Sequence, residues 1–173
     1  MIRYETELNA IKEAVGRLGK EVDFRPASPT DIGYLRGLTY PESVVEFYEH
    51  AEPSTWFEIE DVQLNSIADI WGENEDTLPG DRVVPVGLLN VASTDEGDTY
   101  CIDLNSVDGQ EEPAVRWVSR TIREEMSDEE VMDRTHRAAD TFGDFLMKFA
   151  KGELKARPQI GREMPPPAGR ARK

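Results

Sequence analysis

Apolar residues recur with a helical period over the first part of the chain. Tyr4, Leu8, Ile11, Val15 and Leu18 lie four, three, four and three residues apart and line one stripe. Gly16 weakens the last turn and Gly19 supplies the stop. The stripe is too short for a coiled coil, so this helix is expected to pack on the domain. Val22 to Ala27 reads as a connector. Ser28-Pro29 then opens a short helix carrying Ile32 and Leu35, with serine as N-cap and proline at the first helical position. Thr39-Tyr40-Pro41-Glu42 starts a further helix whose buried side is Val44, Val45, Phe47 and Tyr48; Pro53 bars its extension. His50 stands at its end, where a cation suits the helix dipole.

The pattern then changes to strands. Trp56 to Leu64 reads as strand, with a break at Glu60-Asp61, followed by a short helix from Ile67 to Trp71 that Asn65 or Ser66 caps and Gly72 closes. Glu73 to Arg82 is expected to be an acidic loop. Val83 to Leu104 is the structural centre. Val83 to Leu89 has the composition of a buried strand, Ser93 to Asp98 that of a turn, and Thr99 to Leu104 alternates as a half-buried strand does. Asn105 to Gly109 turns the chain and Ala114 to Ser119 is a third strand. Ser127-Asp128-Glu129-Glu130 is a capping box opening a helix with Val131 and Met132, which breaks near Ala139-Asp140-Thr141. Phe142, Phe145, Leu146 and Phe149 mark a final helix stopped by Gly152. Strands that follow one another without crossover helices predict an antiparallel sheet. The fold class is therefore α+β, a single domain whose sheet packs with N-terminal and C-terminal helices. The expected organisation is an N-terminal helix and connector (1–27), the domain (28–154), and a basic, proline-rich, flexible tail (155–173).

Charge changes this picture more than composition does. The net charge is −15, but from Gly37 to Val115 the only base is Arg82 against nineteen acids, a segment charge of −18. From Lys155 to Lys173 six bases face one acid, a segment charge of +5. An anionic body repels nucleic acid and anionic lipid and steers basic proteins toward itself. No apolar run approaches the roughly 20 residues that span a bilayer, and the N-terminus lacks a signal-peptide apolar block, so a cytoplasmic location is expected. The lone Cys101 permits no internal disulfide and reads as a buried apolar side chain. His50, His136 and Cys101 do not make a zinc inventory. The run Asp103 to Gly109 misses the calcium-loop register, with Val107 at its fifth position and glycine seventh. Phosphate-cradling loops, nucleophile elbows and Ser-His-Asp patterns are lacking, so neither cofactor nor metal nor enzymatic activity is expected. Trp56, Trp71 and Trp117 are expected in the core, with a half-exposed tryptophan as the usual interface anchor.

From about Ser28 to Leu154 the chain resembles the SMI1/KNR4 family, the SUKH superfamily of immunity-type domains. The resemblance rests on Leu38-Thr39-Tyr40-Pro41 before the helix Val44-Val45-Glu46-Phe47-Tyr48-Glu49-His50, then on strand Phe57 to Leu64 and helix Ile67 to Trp71. It continues through Val84-Pro85-Val86, Gly97-Asp98 and Tyr100-Cys101-Ile102-Asp103, which match the middle signature. It closes on Gly109 with Val115-Arg116-Trp117, and on Thr141-Phe142-Gly143-Asp144-Phe145-Leu146. The chain departs where the family has Asn-Gly after its second helix, here Ala51-Glu52-Pro53-Ser54, and where Tyr40 replaces leucine before proline. The resemblance implies a non-enzymatic binding module: an immunity protein that neutralises a bacterial toxin, often a nuclease, or an intracellular scaffold or regulatory protein. A basic toxin domain would be drawn to the acidic middle of the chain. Its expected contacts are Asp69, Glu73, Glu75, Asp76, Asp95, Glu96 and Asp98, with Trp71 as aromatic anchor.

Overall fold

The computed structural model of the protein describes residues 3–106 and 112–154; the turn at Gly109 and the segment 155–173 lie outside the described residues. Helix α1 (Glu5–Arg17) turns Ile11, Ala14 and Val15 inward. Leu18, expected on that stripe, follows the end of the helix and is 55% exposed. Strand β1 (Phe24–Arg25) lies within the expected connector. Helix α2 (Pro29–Gly37) starts at its predicted cap, Ser28 Oγ accepting the Asp31 N–H at 3.1 Å. Helix α3 (Glu42–His50) buries the four apolar residues its pattern selects. Strand β2 (Glu52–Pro53) pairs with β1 in a small sheet of its own.

Strands β3 (Glu58–Ile59) and β4 (Val62–Leu64) are the arms of one hairpin, and the sequence break at Glu60-Asp61 is its two-residue loop. Both loop residues have positive φ (51° and 66°), which matches the right-handed twist of the flanking strands. Helix α4 (Ile67–Glu75) runs through Gly72, where a stop was expected, and takes in the first three residues of the predicted acidic loop. Helix α5 (Gly80–Val83) and a 3-10 turn (Val84–Val86) lead to β5 (Leu88–Thr94). The central strand therefore starts five residues later than its apolar run: Pro85 has no N–H for a ladder, and Gly87, at φ 89°, redirects the chain.

Strand β6 (Thr99–Asp103) is followed by β7 (Ala114–Val118) and helix α6 (Asp128–Met132), the latter capped by the predicted Ser127–Glu130 box. Strand β8 (Thr135–Ala139) replaces the expected continuation of α6. Its residues pair with β7, and His136 stacks on Trp117 with ring centroids 4.9 Å apart. Helix α7 (Phe142–Ala150), capped by Thr141, ends the described fold.

Strands β3 to β8 form one six-stranded antiparallel sheet in chain order, so the fold is α+β as the pattern predicts. Residues directly opposite one another share a face. The row Leu64–Ala92–Tyr100–Trp117–His136 and the row Leu89–Ile102–Val115–Ala139 face the main core. That core is completed by α1, α3 and α7, with Tyr4, Phe47 and Phe142 edge-on to one another. The row that flanks the first of these, Glu58–Gln63–Ser93–Thr99–Val118–Thr135, lies on the opposite face. There Val83, Leu88, Cys101, Val118, Ile122 and Val131 make a second, smaller core. All five β6 residues are buried, where alternation predicted half-burial, because both faces of this strand are covered. Burial holds the Cys101 thiol up at about 12, consistent with an inert side chain.

A register shift between Asn90 and Ala92 interrupts the β5–β6 ladder and strands backbone groups that must find other partners. Asn74 Oδ1 accepts the Asn90 N–H at 3.0 Å, Tyr40 Oη donates to the Asn90 carbonyl at 2.7 Å, and Asn74 Nδ2 donates to Tyr40 Oη at 3.0 Å. Asn65 Nδ2 reaches Asn90 Oδ1 at 2.7 Å. This network bolts α4 to the sheet. Among the described residues no helix is long and apolar enough to cross a membrane.

Candidate partner-binding surface

Helix α4 forms because Ser66 caps it, its Oγ accepting the Asp69 N–H at 3.3 Å, and because Ile67, Ile70 and Asn74 are buried. Glycine at position 72 costs the helix about 1 kcal/mol relative to alanine, less than burial of those side chains returns. At 3.6 residues per turn the remaining positions divide into two flanks. Asp69, Glu73 and Asp76 lie on one flank, Trp71 and Glu75 on the other.

The first flank adjoins the second face of the sheet. Gln63 Nε2 donates to Asp69 Oδ2 at 3.1 Å, and Gln63 Oε1 accepts the indole N–H of Trp56. Trp56 itself is 64% exposed. The Ser93 hydroxyl bonds to Glu73 and accepts from Asn65 Nδ2 at 2.9 Å. Burial pushes the Glu73 carboxyl up, Ser93 draws it back down, and the like charge of Asp69 adds to the rise. The result is an acidic ledge, fixed by side-chain bonds, with an indole at its end.

At the corner of the sheet, Glu58, Asp61 and Asp95 bring carboxylate oxygens within 4.8 Å of one another. Burial, the hydrogen bond with Asp95 and the charges of Asp95 and Asp61 raise the Glu58 carboxyl to about 7, against the opposing pull of Lys20. Near neutral pH the Glu58 carboxyl is therefore partly protonated. Among the described residues it is the one grouping of three histidine, cysteine or carboxylate side chains close enough to hold an ion. Calcium takes six to eight oxygens, and three side chains fall well short of that.

The structure separates the remaining predicted contacts. Asp95 and Glu96 are exposed at the β5–β6 turn, Glu96 pairing with Arg120 at 3.2 Å. Asp98, expected to be available to a partner, is 1% exposed. Its Oδ1 accepts the Arg120 N–H at 2.8 Å and its Oδ2 lies 3.5 Å from the guanidinium, so it ties the turn to the strand after it. Trp71, 49% exposed, and Glu75, which accepts from Tyr34 Oη at 3.0 Å, lie away from the ledge on the outer flank of α4. Asp76 caps the end of that helix.

Two of the three tryptophans expected in the core are thus on the surface, and Trp56 is the aromatic residue that belongs to the ledge. The available signal for it was its setting: the turn-forming run Pro53-Ser54-Thr55 precedes it.

The sequence model of the SMI1 / KNR4 family (SUKH-1) matches residues 34–148, from the middle of α2 to the last turn of α7. That span includes α4, the whole six-stranded sheet and every residue of the ledge. No curated protein matches the chain.

Proposed function

The chain belongs to the SMI1/KNR4 family (SUKH-1), and from that premise we propose that it is an immunity protein acting in the cytoplasm, one that binds and neutralises a basic toxin domain of the nuclease type. The family is one of protein-binding modules, so the chain is read as a binder and not as an enzyme. The observation that carries the finer reading is the ledge. Asp69 and Glu73 are held in place by Gln63 and Ser93, with exposed Trp56 beside them and the Glu58–Asp61–Asp95 corner at the margin. A nuclease needs a cationic surface for its polyanionic substrate, and an anionic surface of fixed shape both attracts and covers it. Preorganised carboxylates lose little side-chain freedom on binding, and a tryptophan supplies buried area at low entropic cost.

The test is association with a basic nuclease toxin domain, followed by stopped-flow at low and at physiological salt. Asp69→Lys with Glu73→Lys is expected to slow association about tenfold or more at low salt, with a smaller effect as salt screens the field. Trp56→Ala is expected to act mainly through faster dissociation. Rates indifferent to reversal of the ledge would sink this placement. Loss of toxin protection in cells should accompany slower binding; a chain that binds proteins but never protects supports the scaffold reading.

A further inference from the structure

The face of the sheet that adjoins the acidic ledge changes sign at its other end. Across β5 to β8 runs the row Asn90–Cys101–Arg116–Arg137, so two arginines on neighbouring strands stand directly opposite one another. Like charges in that position repel and weaken the pairing. Arg116 is half-buried and its guanidinium is fixed by Thr135, which is 8% exposed. Thr135 Oγ1 accepts from Arg116 Nε at 2.9 Å and donates to the Met132 carbonyl at 2.9 Å. Among the described residues the two terminal amino groups of Arg116 have no partner. The charge is therefore aimed and left uncompensated, and it is felt through the strand: burial, and after it Arg116, hold the His136 imidazole below its ordinary value. Arg137 pairs with Asp140 at 3.3 Å, but between side chains 50% and 81% exposed such a contact contributes little.

This arrangement is one half of an ion pair. A guanidinium held at Nε presents its remaining N–H groups as a fork that matches a carboxylate, and an anion there would also relieve the opposed charges. The rest of the molecule selects what can bring one. A net charge of −15 repels nucleic acid and repels a second copy of this chain, whereas a net basic protein is drawn in and can carry a single carboxylate with it. Four strand spacings of about 4.8 Å each separate β8 from β4, where Gln63 holds the ledge, so the two ends lie roughly 20 Å apart. One interface of about 800 Å² per partner spans that distance.

We propose that Arg116, with Arg137 beside it, seats a carboxylate side chain of the basic partner, so that the protein reads its partner by two signs, bases over the ledge and an acid over the arginines. The carboxylate seat stands on the chain alone; its use by a toxin rests on the reading above.

The seat is tested first on the full chain without a partner, by NMR titration with sodium acetate against sodium chloride at equal ionic strength. The Arg116 Nε–H and the Arg137 amide are expected to shift saturably in acetate and not in chloride. Arg116→Gln should abolish the shift at Arg137, its amide spectrum reporting that the variant is folded. Equal shifts in chloride, or an acetate shift that survives Arg116→Gln, overturn the proposal. So does inorganic phosphate that displaces acetate at a tenfold lower concentration, which would reassign the seat to a phosphoryl ligand. The second arm is stopped-flow with a basic nuclease toxin domain. Arg116→Gln with Arg137→Gln makes the chain more anionic, so steering alone would speed association and tighten the complex. The seat requires the opposite effect on affinity: dissociation about tenfold faster, with association unchanged or faster. Arg116→Lys, which keeps the charge without the fork, should also dissociate faster than the parent. A tighter complex from the double glutamine variant overturns the use of the seat by a toxin. An acetate shift in a chain that binds no basic toxin domain would place the failure in the toxin reading and leave the seat standing.

Discussion

Asp98 offers the sharpest separation between a carboxylate that builds the fold and one that faces a partner. It stands two residues from Glu96 in an acidic turn, yet it is 1% exposed and accepts the Arg120 N–H at 2.8 Å, while Glu96 has a half-exposed side chain. Replacing Asp98 by alanine removes the acceptor and strands that N–H. A hydrogen bond to a charged group contributes about 1.5–3 kcal/mol, and the Arg120 guanidinium, itself 42% exposed, adds at most a few tenths. Asp98→Ala is therefore expected to cost about 2–3 kcal/mol. Asp98→Asn, which keeps an acceptor oxygen without the charge, should cost about 1 kcal/mol. Glu96→Ala should stay within about 0.5 kcal/mol. Equilibrium urea unfolding at pH 7, followed by tryptophan fluorescence and by circular dichroism so that coincident transitions establish two-state behaviour, gives all three values from midpoints at a shared slope. If Asp98→Ala and Glu96→Ala were equally mild, the reasoning that assigns Asp98 to the scaffold would be refuted.

Two further outcomes follow from other parts of the molecule. Asn74→Leu keeps the volume but deprives the Asn90 N–H of its acceptor and Tyr40 of a donor, so a loss of about 2–4 kcal/mol is expected in the same unfolding assay; neighbouring Glu75→Gln should be nearly silent. Glu58, raised to about 7 from an ordinary 4.5, keeps a proton in the folded state that the unfolded chain has already lost between those values, so it lowers stability as pH rises through that window. Glu58→Gln should therefore match the parent near pH 4 and exceed it by about 1 kcal/mol at pH 8, a value reduced for solvent screening of a partly exposed group. A difference that does not change between unfolding curves at the two pH values would remove the carboxylate corner from the account.

The sequence alone determined the features that local chemistry sets. Ser28, Ser66, and Ser127 with Glu130 cap the helices they announce, since a cap needs only its own next three residues. The apolar sides of α3 and α7, the antiparallel character of the sheet and the acidic bias of the middle of the chain were legible for the same reason. What the tertiary structure decided involves groups far apart in sequence. Thr135–Ala139 became a strand because β7 presented an edge for it to pair with. Gly72 stayed inside α4 because residues on both sides of it had a core to enter. The start of β5 moved because a proline and a left-handed glycine preceded it. Trp56 and Trp71 came to the surface because neighbouring apolar residues filled the core without them. Asp98 and Asp95 could not be told apart by composition, because the difference is an N–H from Arg120, twenty-two residues beyond Asp98. A carboxylate's role depends on which donors surround it, and those donors are assembled by the fold.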